Sequence, residues 1–117
     1  MIITSEKACL EGMVEVPASK SHTIRAVILG ALASGKSVIE APLDSFDTRS
    51  AVEAVRAFGA DVVREQNRWT ITGVEGKPSV PENVIDVGNS GTTLYMMMGT
   101  ASLADGRTVL TGDEQIR

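Results

Sequence analysis

Apolar positions recur along this chain with two periods, one helical and one of alternating strands. Between residues 21 and 34, Ile24, Ile28, Ala31 and Leu32 fall on one stripe, which predicts a helix closed by Gly35. A second helix is predicted from Asp44 or Ser45, either of which can cap it, to about Phe58. Val52, Val55 and Phe58 form its core side, and Arg49, Glu53 and Arg56 its wet side. Residues 12–16, ended by Pro17, and residues 37–40 read as strands, as do 61–65 and 69–72, joined by the turn Gln66-Asn67-Arg68. The order through residue 72 is therefore β-α-β-α-β-β, an α/β pattern. After Pro78 and Pro81 the cycle begins again: a strand at 85–87, a Gly-rich loop at 88–91, a helix at 92–103, a turn at Asp105-Gly106 and a strand at 108–111. Residues 112–117 read as a loop into further chain. A second unit left half built has an uncovered sheet and is expected to be marginal alone.

Composition narrows the class. The 117 residues are 43% apolar, enough for a core, yet only 3% aromatic, so that core must be aliphatic. The net charge of −4 argues against nucleic-acid binding, although a few well-placed cations could still form a local anion site. Cys9 is the only cysteine and His22 the only histidine, which excludes an internal disulfide and a zinc cluster. Nothing activates Cys9 locally, so it reads as an inert apolar residue. The opening run MIITSEKACLEG lacks a positive n-region and is no signal peptide. No apolar stretch reaches the roughly 20 residues of a membrane span. A soluble cytoplasmic protein, with no membrane partner, is the expectation.

Two places carry candidate chemistry. Ala18-Ser19-Lys20-Ser21-His22-Thr23-Ile24-Arg25 lies where a strand gives way to a helix. Free N–H groups and the positive end of the helix dipole favour an anion there. The hydroxyls of Ser19 and Ser21, the charge of Lys20 and Arg25 one turn on could hold a phosphate or carboxylate. The plainer reading makes Ser21 an N-cap and leaves Lys20, His22 and Arg25 in solvent. Gly88-Asn89-Ser90-Gly91-Thr92-Thr93 is the second strand-loop-helix junction, where glycines admit a ligand to the backbone and two threonines offer hydroxyls. It is neither a Walker loop nor a dinucleotide fingerprint, and an ordinary capped turn is its plainer reading. Two anion-ready helix starts in one short chain point to a substrate with two anionic ends. In the 43–49 run, Asp47 and Arg49 read as good helix design. Met96, Met97 and Met98 read as core packing, and Trp69 as a strand residue covering the core.

Taken together, these residues are familiar. Pro17-Ala18-Ser19-Lys20-Ser21 with Arg25 resembles the Pro-Gly/Ala-Ser-Lys-Ser…Arg start of the 5-enolpyruvylshikimate-3-phosphate synthases. Leu43-Asp44-Ser45…Asp47…Arg49, then Gly88-Asn89-Ser90-Gly91-Thr92, then Leu110-Thr111-Gly112-Asp113 follow in the family's order and spacing. The resemblance covers essentially the whole chain. It implies a truncated inside-out α/β barrel of β-α-β-α-β-β units. Residues 1–16 would belong to the other domain, 17–78 to one complete unit, and 79–117 to part of a second.

The resemblance also implies the reaction: the 5-hydroxyl of shikimate 3-phosphate adds to phosphoenolpyruvate and phosphate leaves, with no metal or organic cofactor. By position Lys20 touches both substrates, and Ser21 and Arg25 hold shikimate 3-phosphate with Thr92 beside them. Asn89 and Gly91 approach phosphoenolpyruvate, and Asp47 lines the same cleft as a catalytic acidic group. Tyr95 stands where many members carry Arg, and Met96 where some carry Pro. The family's next Arg-Pro would fall beyond Arg117, as would the proton-transferring groups, so the remainder of the enzyme is the implied partner and this chain alone is expected to be inactive. Two other readings exist. The related UDP-N-acetylglucosamine enolpyruvyl transferases carry Lys-Asn where this chain has Lys20-Ser21, and a non-catalytic anion-binding module would unfold cooperatively by itself.

Overall fold

A computed structural model describes residues 1–117. The elements are α1 (Lys20–Leu32), β1 (Lys36–Glu40), α2 (Phe46–Ala57), β2 (Asp61–Glu65), β3 (Arg68–Thr72), β4 (Ile85–Asp86), α3 (Gly91–Ala101) and β5 (Leu110–Thr111). β3 lies between β1 and β2 and runs antiparallel to both, so β1 and β2 are parallel to each other with α2 crossing between them. β4 and β5 form a separate parallel pair.

Strand alternation divides the three-stranded sheet into two faces. On the inner face, Ser37, Ile71 and Val62 form one row, and Ile39, Trp69 and Arg64 the next. On the outer face the rows are Lys36-Thr72-Asp61, Val38-Thr70-Val63 and Glu40-Arg68-Glu65. The inner rows meet α1 and α2, whose buried stripes are Ile24, Val27, Ile28 and Ala31, and Ala51, Val52, Ala54 and Val55. Trp69 and Phe58 are the largest buried side chains in this core, so it is not purely aliphatic as the composition suggested: two of the few aromatic residues are placed in it. Burying side chains of this size stabilises by about 1.5–3 kcal/mol each. A close approach then fixes the spacing of α1 and the sheet. A Cβ at Gly73 would stand 2.1 Å from the Ala33 carbonyl oxygen and 2.5 Å from that of Gly30.

The starts of α1 and α2 are tied together through one peptide. Thr23 Oγ1 accepts from the Leu43 N–H at 3.0 Å and donates to the Ser19 carbonyl at 3.0 Å. Thr48 Oγ1 donates to the Leu43 carbonyl at 2.8 Å. Both threonines are buried. A second tie joins α2 to the sheet. Arg49 makes a forked contact with Asp44, Nε at 2.7 Å and Nη2 at 3.1 Å, and Arg64 reaches the same carboxylate at 3.2 Å while lying 5.3 Å from the Trp69 ring centre. Hydrogen bonds from Arg49 hold the Asp44 carboxyl below its ordinary value of 3.8 despite some desolvation, and Arg64 adds to the effect.

Several sequence expectations are refined. α1 begins at Lys20, and its cap is Ser19, whose hydroxyl accepts from the His22 N–H at 3.4 Å; Ser21 lies inside the helix. Of the two candidate caps for α2, Ser45 serves, in a reciprocal pair with Thr48. Residues 12–16 form no ladder, because no strand lies alongside to complete their backbone hydrogen bonds. The expected strand 108–111 is shortened to Leu110–Thr111, since its partner β4 offers only two residues. Among the three methionines only Met97 is buried; Met98 is exposed, as is Tyr95, since α1 and α2 cover only one side of α3. No helix is long and apolar enough to cross a membrane.

Two outcomes test this packing. Gly73→Ala is expected to lower stability by about 1–3 kcal/mol, because the new methyl meets backbone. Gly99→Ala, inside α3 with open space at its Cβ, is expected to raise stability by about 0.5–1 kcal/mol. Thermal unfolding followed by circular dichroism reads both, and equal effects would refute the close approach. Asp44→Asn is expected to lower the melting temperature by a few degrees at pH 7, an effect under about 1 kcal/mol since the pair is half exposed. Because the folded pKa of Asp44 is depressed, its contribution is present above the unfolded value and is lost as pH falls through the folded one. The gap between parent and variant should therefore begin to narrow as the pH falls below about 4 and go on narrowing as it falls further; a gap of constant size from neutral pH into the acid range counts against the tie.

Candidate functional site

Contacts with the first half of α2 link the start of α1 and the loop before α3. Lys20, the first residue of α1, donates from Nζ to Asp47 Oδ2 at 2.6 Å, and Asp47 lies in the first turn of α2. Ser50, one turn after Asp47, faces Gly88: a Cβ built there would be 3.4 Å from Ser50 Oγ. Gly88 opens the loop that leads into α3. Lys20, Asp47, Ser50 and the 88–91 loop thus form a continuous path across all three N-termini, each with unpaired N–H groups and a positive dipole end. The two junctions singled out in the sequence are neighbours through α2.

The Lys20 side chain is 52% exposed and that of Asp47 21%. An exposed ion pair of this kind contributes at most about 1 kcal/mol to stability, so its value is in holding the ammonium across the helix starts. Ser21 is half-buried and takes part in no side-chain hydrogen bond within the chain. Arg25 is exposed one turn further on and belongs to none of the five ion pairs, which engage Lys20, Arg49, Arg56, Arg64 and Arg68. Ser21 and Arg25 are therefore open to an incoming anion.

At the second junction, Ser90 is the cap of α3. Its hydroxyl accepts from the Thr93 N–H at 3.3 Å and lies 2.7 Å from Thr93 Oγ1. The Thr93 hydroxyl is thereby buried and occupied, so of the two threonines only Thr92, half-buried in the first turn, keeps its hydroxyl available. Gly91 begins the helix. The Asn89 side-chain amide donates to Asp113 Oδ2 at 2.7 Å, a contact that sequence reasoning missed because the partners lie 24 positions apart. Ser50 was missed for the same reason.

One groove borders this region and a larger cavity lies apart from it. A groove of about 220 Å³ runs past Ser19, His22, Thr23, Glu40 and Pro42. A cavity of about 500 Å³ lies between the second half of α2 and residues 79–86, and none of the sequence-predicted site residues lines it. Size is a poor guide here, because the convergence of dipoles and unpaired polar groups lies elsewhere.

A family model described as EPSP synthase (3-phosphoshikimate 1-carboxyvinyltransferase) matches residues 4–117. The 3-phosphoshikimate 1-carboxyvinyltransferase of Acetivibrio thermocellus is 51% identical over 117 residues, which is 100% of this chain and 28% of that protein. The Methanothermobacter thermautotrophicus protein of the same name is 52% identical over 118 residues, again 100% of this chain and 28% of its own length. The solved structure of EPSP synthase from Acinetobacter baumannii superposes with a TM-score of 0.81 at 30% identity, covering 88% of this chain and 24% of that one. The chain thus spans under a third of the length of the relatives it matches. With a match over nearly all of its residues, a shared mixed α/β fold and half of its positions identical to those relatives, this chain belongs to the EPSP synthase family.

Proposed function

We propose that this chain forms part of the substrate-gripping surface of an enolpyruvyl transferase. The reaction moves the enolpyruvyl group of phosphoenolpyruvate to the 5-hydroxyl of shikimate 3-phosphate. The observation that carries this reading is the Lys20–Asp47 contact across the starts of α1 and α2, with the 88–91 loop reaching α2 at Ser50, one turn after Asp47. Both substrates are multiply anionic, and this end of the chain offers cations, free hydroxyls and three dipole ends.

The roles are those that the family resemblance implies for these positions. Ser21 and Arg25, free of internal partners, bind shikimate 3-phosphate, and Thr92 lies beside them. Gly91 and the Asn89 backbone approach phosphoenolpyruvate. Lys20 touches both substrates, exchanging Asp47 for their anionic oxygens as they enter, and Asp47 keeps the ammonium aimed at the cleft. In the reaction the 5-hydroxyl gives its proton to a base and its oxygen bonds to C2 of phosphoenolpyruvate, while C3 gains a proton from an acid and the C2–C3 double bond becomes single. Then C3 loses a proton, the C2–C3 double bond re-forms and the bond from C2 to the phosphate oxygen breaks, releasing inorganic phosphate. The acid and base for these transfers, and further arginines, come from the rest of the enzyme, which is the partner this chain requires. Residues 1–16 would pair in the other domain, 17–78 form one unit and 79–117 start the next. No cofactor enters the scheme, and a cytoplasmic location suits its substrates.

Phosphate release from the two substrates tests the proposal. The 117-residue chain alone is expected to give no turnover, since orientation and proton transfer need the missing groups. Grafted in place of the matching segment of the Acetivibrio thermocellus relative, it is expected to give turnover. Lys20→Met in that graft should lower kcat/KM by at least about 10²-fold. A soluble, folded graft that stays silent would sink the reading, as would full activity without Lys20.

A further inference from the structure

The turn after β5 closes over the Gly-rich loop, and Asp113 is at its centre. The Asp113 N–H donates to the Gly88 carbonyl at 3.0 Å. Its Oδ2 accepts from Asn89 Nδ2 at 2.7 Å, and its Oδ1 from the Gln115 N–H at 3.0 Å. Its carbonyl accepts from the N–H groups of Ile116 and Arg117, each at 3.1 Å. The approach of this turn to the loop is close. A Cβ at Gly112 would stand 2.6 Å from the Gly88 carbonyl oxygen and 2.6 Å from Ile116 Cγ2, so only glycine fits. Ile116 in turn lies over Gly91, 3.8 Å from where its Cβ would be.

Both carboxylate oxygens of Asp113 are therefore engaged inside the protein, one on the loop and one on its own turn. Its negative charge also works against an anion at the adjacent loop. A charge retained where it opposes the ligand needs a geometric reason, and the bonds supply one. A glycine-rich loop left free would have to be ordered at the moment of binding, at a cost in affinity. Asp113 holds Gly88 by its backbone and Asn89 by its side chain, while Asp86 Oδ1 accepts from the Gly88 N–H at 2.8 Å.

Building on the functional reading above, we propose that Asp113 is a positioning residue: through Asn89 and Gly88 it presets the loop backbone that receives phosphoenolpyruvate. In the grafted enzyme, Asp113→Ala is expected to raise KM for phosphoenolpyruvate about tenfold while kcat stays within about threefold. Asn89→Asp, which sets two carboxylates against each other, should do the same. Combining Asn89→Asp with Asp113→Asn rebuilds the bond with donor and acceptor reversed, and should bring KM back to within about threefold of the parent value. A role through charge alone predicts the opposite sign, a lower KM in Asp113→Ala. That result, an unchanged KM, or a double variant as impaired as Asn89→Asp alone overturns the proposal.

Hydrogen exchange in the 117-residue chain itself gives a second readout. Asp113→Ala should speed exchange at the Gly88 and Ser90 amides about tenfold and leave the amides of α1 and α2 at parent rates. Unaltered exchange at Gly88 and Ser90 also overturns the proposal. If the grafted parent shows no turnover, the functional reading fails on its own and the exchange rates still decide the role of Asp113.

Discussion

The architecture of the site depends on the Leu43 peptide. Its N–H is held by Thr23 of α1 and its carbonyl by Thr48 of α2, with both hydroxyls out of water. Helix starts repel one another electrostatically, since each carries partial positive charge. Bringing two together needs bonds that are dearly lost if broken, and buried hydroxyl-to-backbone bonds meet that need, because an unsatisfied buried peptide group costs about 1–3 kcal/mol. The Lys20–Asp47 pair then spans a junction already closed by stronger means. Its weakness as an exposed ion pair is useful, since a ligand can displace it without disturbing the helices.

Much of this was legible in the sequence. Periodicity located α1 and α2, and their apolar stripes proved to be the core. The strands at 61–65 and 69–72 were legible because alternation and a polar turn reinforce each other, although the observed turn is tighter, with Glu65 opposite Arg68. Less legible was anything that depends on a partner far along the chain. The sequence pointed to Ser21 as the cap, and only the path of the incoming backbone selects Ser19 instead. Thr93 looked as available as Thr92 until Ser90 turned towards it. The methionines of α3 looked alike because a helix rich in apolar residues hides which side its neighbours cover.

The same distinction separates the two junctions. At the start of α1 the chemistry is local: Ser19, Lys20, Ser21 and Arg25 lie within seven positions and announce themselves. At the start of α3 the loop is shaped from outside, by Asp113 and Gly112 on one side and Ser50 on the other. A glycine-rich loop carries little conformational preference of its own, so its form must be imposed by contacts that a linear reading cannot rank.

The outer face of the sheet has a consequence for how molecules of this protein meet. Its middle row, Val38-Thr70-Val63, is β-branched throughout and half open to water, the composition of a surface that invites stacking. Charged rows bound it on both sides, Lys36-Thr72-Asp61 and Glu40-Arg68-Glu65. If β2 of one molecule lay antiparallel against β2 of another, residue 61 would face residue 65 and two carboxylates would meet at each end. The β1 edge has no such guard, since Lys36 would there oppose Glu40. Protection against self-association is thus built into one margin of the sheet and left to the surroundings at the other.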